Sequence, residues 1–166
     1  MSYPLRTATV ILIVGLAAAG LRAVDADPSW GKAADNKIYA QTLVNDVMAN
    51  HPELVVFGVH ATAPGSKDEA LIACNLDRIG KKDDDDDIAV ATEGKMIMAP
   101  NLKDPNKFEV QLPLLDVQGR VVGSTGFVFK YHAGQDVVKL LKRALSIRED
   151  LAKKISDQKT LFQTAP

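Results

Sequence analysis

Tyr39, Leu43 and Val47 recur every fourth residue, with Ala40, Val44 and Met48 beside them and Gln41, Asn45 and Asp46 off the stripe. That spacing predicts an amphipathic helix. Asp35 or Asn36 stands where a cap would start it. Asn50-His51-Pro52 stops it, because the residue before a proline is driven out of the helical region. The period then changes. Residues 54–61 and 70–75 are short runs rich in apolar residues, separated by Ala63-Pro64-Gly65-Ser66-Lys67-Asp68, and read as an antiparallel hairpin. Five aspartates at 83–87 precede Ile88, Ala91, Thr92 and Gly94. They predict a short helix with its acids at the favourable end of the macrodipole. Residues 96–99 form a third strand. Phe108, Val110, Leu112 and Leu114 alternate with their neighbours, which is the pattern of a strand with one buried face. Asp116-Val-Gln-Gly119-Arg120 is a tight turn into a partner strand at 121–131, whose Gly123 and Gly126 let backbone or ligand approach closely. Val137, Leu141, Ala144, Leu145, Leu151 and Ile155 lie on the stripe of a closing helix from Gln135 to about Ile155. Residues 156–166 remain as a tail, in which Leu161 and Phe162 can dock.

Upstream of all this, Arg6 precedes an uncharged run at residues 8–21, which is 14 residues long. A membrane span needs about 20 apolar residues and a secretory h-region about 7–15. Val24-Asp25-Ala26 offers small residues for cleavage. Residues 1–26 are therefore expected to be a signal peptide, and the mature chain to be periplasmic or secreted with no membrane span. The 166 residues are enough for one domain. Net charge is −1, from 20 basic against 21 acidic side chains, so no basic excess exists to neutralise phosphates and no nucleic-acid partner is expected. A lone cysteine, Cys74, excludes an internal disulfide and a cysteine-based zinc site. It reads as a small buried hydrophobe.

The element order is helix, two strands, short helix, three strands, helix, which predicts an α+β domain. The segment Leu112-Pro-Leu-Leu-Asp-Val-Gln-Gly-Arg-Val-Val-Gly-Ser-Thr-Gly-Phe-Val-Phe129 resembles the last hairpin of extracytoplasmic PAS-like sensor domains of the single Cache (PDC) type. Asn75-Leu-Asp-Arg-Ile-Gly-Lys81 resembles the loop that follows their second strand. The likeness spans residues 35–155. It implies a PAS-like or profilin-like five-stranded antiparallel sheet with long N-terminal and C-terminal helices. It also implies a small-molecule ligand, and a partner protein for output. The other reading is a profilin-like protein–protein interaction module without a pocket.

In the resembled domains the pocket lies on one face of the sheet under loops and helices. Arg78 could hold a ligand carboxylate in bidentate fashion and Asn75 could hydrogen-bond it. The expected ligand is thus a small carboxylate or amino acid. Asp77 belongs to the same loop, and Lys107 and Tyr131 are polar liners at strand ends. The competing reading pairs Arg78 with Asp77 or the aspartate run and makes Asn75 a turn cap. The aspartate run lacks the alternating spacing of a calcium loop and reads as a solvated helix start. His51, His60 and His132 show no i, i+4 spacing with another ligand, so no metal site is expected, and no cofactor is implied. Gly123-Ser124-Thr125-Gly126 is not a nucleophile elbow, and no base can be assigned to Ser124. An enzyme is not expected.

Overall fold

A computed structural model describes residues 27–165. The expected signal peptide at residues 1–26 lies outside the described residues. Three helices, α1 (Tyr39–Asn50), α2 (Asp85–Glu93) and α3 (Val137–Ala152), accompany five strands. The strands are β1 (Leu54–Thr62), β2 (Glu69–Cys74), β3 (Ile97–Pro100), β4 (Lys107–Leu115) and β5 (Val121–Lys130). They form one sheet in the order β2-β1-β5-β4-β3, and every neighbouring pair is antiparallel. The α+β class and the five-stranded antiparallel sheet hold.

The pleat sorts the side chains. Phe57, Val59, Val110, Leu112, Phe127 and Phe129 point to one face and are buried. Phe57 and Phe127 meet at 4.9 Å between ring centroids. α1 packs over β1 and β2, and α3 over β4. Leu43, Val44, Ala144, Ile147 and Leu151 complete the core from the helix side. α2 packs over β4 and β5, with Val90 buried, and occupies the opposite face.

The helices are shorter than expected. α1 has 12 residues and α3 has 16. Asn36 does not cap α1, whose cap position is Ile38 without a side-chain hydrogen bond. The Asn36 amide instead donates to Ile72 O at 2.8 Å, which keeps the chain extended up to Ile38. α3 opens at Asp136, whose carboxylate accepts the Val138 N–H.

β2 is an edge strand, and α1 satisfies part of its outer edge. Gln41, 2% exposed, donates from Nε2 to Cys74 O at 2.9 Å and accepts the Cys74 N–H on Oε1 at 3.2 Å. One glutamine side chain thus stands in for a neighbouring strand. The tail is packed as well. Leu161 is fully buried, Thr164 bridges Ile38, and Ala165 N donates to Lys37 O at 2.8 Å. Leu161 and the residues after it thus pack against the start of α1 and the core.

Candidate functional site

The face of the sheet away from the core carries a hollow. Gly58 on β1 lies directly across from Gly126 on β5, which in turn faces Gln111 on β4. Gly126 leaves a depression in an otherwise filled surface, whereas the space beside Gly58 is taken by Leu71, whose Cδ1 lies 2.8 Å from where a Cβ on Gly58 would sit. A Cβ built on Gly126 would meet nothing within 4 Å. The cavity above has a volume of about 300 Å³, at the lower end of ligand pockets. Val56, Leu71 and Val128 supply apolar floor and wall. Arg78, Lys81 and Lys107 bring positive charge to its border, and Asp84, Asp87 and Glu109 negative charge. Gln111 lines it too, and its Oε1 is buried with no hydrogen-bond partner among the described residues.

Arg78 and Lys107 are thus brought to one cavity. Arg78 is exposed at its border. Lys107 is tied to Asp104 at 3.0 Å. The other three expected residues are employed elsewhere. Asn75 Oδ1 accepts the Phe57 N–H at 3.0 Å and its Nδ2 donates to Val55 O at 3.0 Å. It continues the β1–β2 ladder with its side chain where β2 ends, and it borders a separate hollow beside Asn36 and Gln41. Asp77 accepts the Ala33 N–H at 3.0 Å and ties down the lead-in to α1. Tyr131 packs its ring on Phe108 at 5.3 Å, away from the cavity. Cys74 is buried, and burial raises its thiol pKa.

One end of the cavity holds a cluster that spacing alone did not reveal. His60 Nδ1 lies 2.6 Å from Asp83 Oδ1 and 3.9 Å from Asp87 Oδ2. The aspartate run is therefore divided in use. Asp84 caps α2 through the Asp87 N–H at 3.2 Å, Asp85 and Asp86 are exposed, and Asp83 and Asp87 turn inward. Positions four apart face one side of a helix start. That spacing, opposite a histidine in an apolar strand, was the available signal. Burial lowers the His60 pKa, but the hydrogen bond and charge of Asp83, with the charge of Asp87, outweigh it and leave the pKa raised. Burial raises the Asp87 pKa against the pull of His60, with Asp84 and Asp83 adding to the rise. Glu69 is pushed up to about 7, by burial first and by the charge of Asp83 next.

A histidine oriented by a carboxylate could act as a base. Ser124 sits across the strand pair from His60, but its buried Oγ has no hydrogen-bond partner among the described residues. His132 is exposed beyond the end of β5, beside Tyr131. It is far along the sheet from His60, because β1 pairs with β5 in antiparallel register.

No family model and no curated protein matches the chain. Solved structures do resemble it. The Agobacterium tumefaciens repressor BlcR aligns at a TM-score of 0.49 and 10% identity, covering 70% of this chain and 66% of that one. The C-terminal domain of the E. coli transcriptional regulator KdgR aligns at 0.46 and 13% identity, covering 73% and 96%. A GAF domain aligns at 0.45 and 12% identity, covering 73% and 81%. These are parts of transcriptional regulators and a GAF domain, not extracytoplasmic Cache sensors. The Cache assignment is corrected on that finding, and with it the exported-sensor reading and the periplasmic or secreted location. The hairpin pattern that suggested Cache describes two strands and a glycine turn, which many sheets of this kind need. At 10–13% identity and TM-scores below 0.5, the likenesses put no ligand, activity or location in place of the corrected ones. No helix among the described residues is long and apolar enough to cross a membrane.

Proposed function

We propose that this chain is a binding module that seats a small polar ligand of mixed charge on the open face of a PAS-like sheet. The observation that carries the reading is the hollow over Gly126, with the buried Gln111 oxygen beside it that has no hydrogen-bond partner among the described residues. A buried acceptor without a partner calls for a donor from water or ligand. The apolar floor favours the body of a small molecule, and the Arg78, Lys81 and Lys107 border meets its negative groups. Glu109 and Asp84 meet its positive ones.

The test is thermal unfolding of the chain against a panel of small charged and zwitterionic molecules. Ligand at one hundred times its Kd adds about 2.7 kcal/mol of stability. Gly126→Val fills the hollow with a side chain that meets no atom at its Cβ and suits a strand. The variant is expected to fold as well as the parent and to lose the ligand-induced shift. Arg78→Ala is expected to weaken it. A panel without a selective shift, or a shift that Gly126→Val leaves intact, overturns the reading.

A further inference from the structure

We propose that His60, Asp83 and Asp87 bind a first-row divalent metal ion, Zn²⁺ or Mn²⁺, at the end of the cavity. One ligand atom from each of the three lies within 4.8 Å of the others. Donors to a single ion, at bonds of about 2.0–2.2 Å, sit roughly 3–3.5 Å apart. The 2.6 Å contact between His60 and Asp83 would open slightly as the ion replaced the proton they share. The 3.9 Å contact to Asp87 would close by less than about an ångström on the same geometry.

The buried oxygens say why an ion belongs here. The side chains of His60, Asp83 and Asp87 are 10%, 1% and 8% exposed. Asp83 spends one oxygen on His60, and its second oxygen is buried with no hydrogen-bond partner among the described residues. Glu69 accepts the Asp83 N–H on its main-chain oxygen at 3.4 Å, and its own buried Oε1 also lacks a partner. Carboxylates out of water need a cation or a hydrogen-bond donor, and the single Nδ1 of His60 cannot serve both Asp83 and Asp87. A doubly charged ion can. The donor set of one imidazole with carboxylates suits zinc or manganese better than calcium, which takes six to eight oxygens. His60 and Asp87 also line the cavity, so the ion would have an entry path and an open position towards the hollow.

The experiment is isothermal titration of the full chain, freed of metal with a chelator, with Zn²⁺, Mn²⁺, Mg²⁺ and Ca²⁺ in turn. The expected result is one Zn²⁺ or Mn²⁺ per chain, a raised melting temperature, and little response to Mg²⁺ or Ca²⁺. Asp83→Asn, Asp87→Asn and His60→Gln should each weaken binding at least ten-fold. The double change Asp85→Asn, Asp86→Asn on the exposed part of the run should leave it unchanged. Should Asp83→Asn fail to melt cooperatively, Asp87→Asn carries the test, since it leaves the His60–Asp83 contact in place. The Co²⁺-loaded chain should show visible d–d absorption that His60→Gln alters. Absence of saturable binding overturns the proposal and leaves the cluster a buried ion pair. Binding lost in the Asp85/Asp86 variant but kept in Asp83→Asn and Asp87→Asn also overturns it. The ion readout needs no organic ligand, so it stands or falls separately from the ligand panel.

Discussion

Replacing Gln41 with leucine asks what holds α1 to the edge of the sheet. Leucine has nearly the volume of glutamine and keeps the apolar packing of Leu43 and Val44 undisturbed. It removes both hydrogen bonds to the main chain of Cys74, of 2.9 and 3.2 Å. The Cys74 N–H and C=O are then left unpaired in a place where Gln41 is 2% exposed. Each orphaned buried group costs about 1–3 kcal/mol. Burying a leucine side chain in place of an amide returns about 1–2 kcal/mol. The two groups together lose about 2–6 kcal/mol, so with the leucine's return the net loss is about 1–4 kcal/mol, a large part of a typical stability of about 5–15 kcal/mol. With a urea m-value of about 2 kcal/mol per molar, the unfolding midpoint should fall by roughly 0.5–2 M. Native-state hydrogen exchange should show the Cys74 amide losing more protection than amides in β5. A midpoint change below about 0.3 M would refute the reasoning, because α1 would then be held by apolar contact alone.

Gly123→Ala should be severe, costing about 3 kcal/mol or more. The added Cβ would run into the carbonyl oxygen of His60, at a φ of +154°; a near-parental melting temperature would contradict the close approach of β5 to β1. Leu161→Ala should lower stability by about 2–4 kcal/mol in chemical denaturation, since Leu161 is fully buried; a neutral result would mean the tail does not hold the domain. Burial pushes the Asp116 carboxyl up, but the N–H groups of Arg120 and Gln118 and the Arg120 guanidinium outweigh it and hold its pKa below 3.8. Asp116 therefore contributes stability that is present above its unfolded pKa and is lost as pH falls through its folded one. Asp116→Asn should be less stable than the parent at neutral pH, with the gap closing below about pH 4; a gap independent of pH would remove the carboxylate from the explanation.

The strands and helices were legible because each obeys a local period. Leu112 and Leu114 alternate with their neighbours, Leu43 and Val47 repeat at four, and Gly94 and Gly119 end their elements with positive φ. What failed depended on partners distant in the chain. Asn36 has the chemistry of a cap, but a carbonyl on β2 claims it. Asn75 has the chemistry of a ligand contact, but two main-chain groups of β1 occupy it. Gly126 was read as leaving room for a ligand, and it does leave room; that Leu71 of β2 fills the corresponding space beside Gly58 emerges only once β1 and β2 are paired. His60 and Asp83 are 23 residues apart, and no spacing rule joins them until β1, β2 and α2 are in place.

The strand order also governs how the chain assembles. β1 sits between β2 and β5, and its pairing with β5 joins residues as distant as His60 with Ser124 and Leu54 with Phe129. A two-stranded hairpin is at best marginally stable by itself. During synthesis β1 and β2 therefore emerge long before the strand that completes them, with one edge of β1 open and Phe57 and Val59 bare. Closing a sheet across so long a loop is slow, on the millisecond-to-second scale of non-local β folds. A nascent chain that stops short of β5 offers a template for pairing with its neighbours. The interval before residues 121–130 emerge is thus when this protein is most exposed to aggregation, and when a chaperone would serve it best.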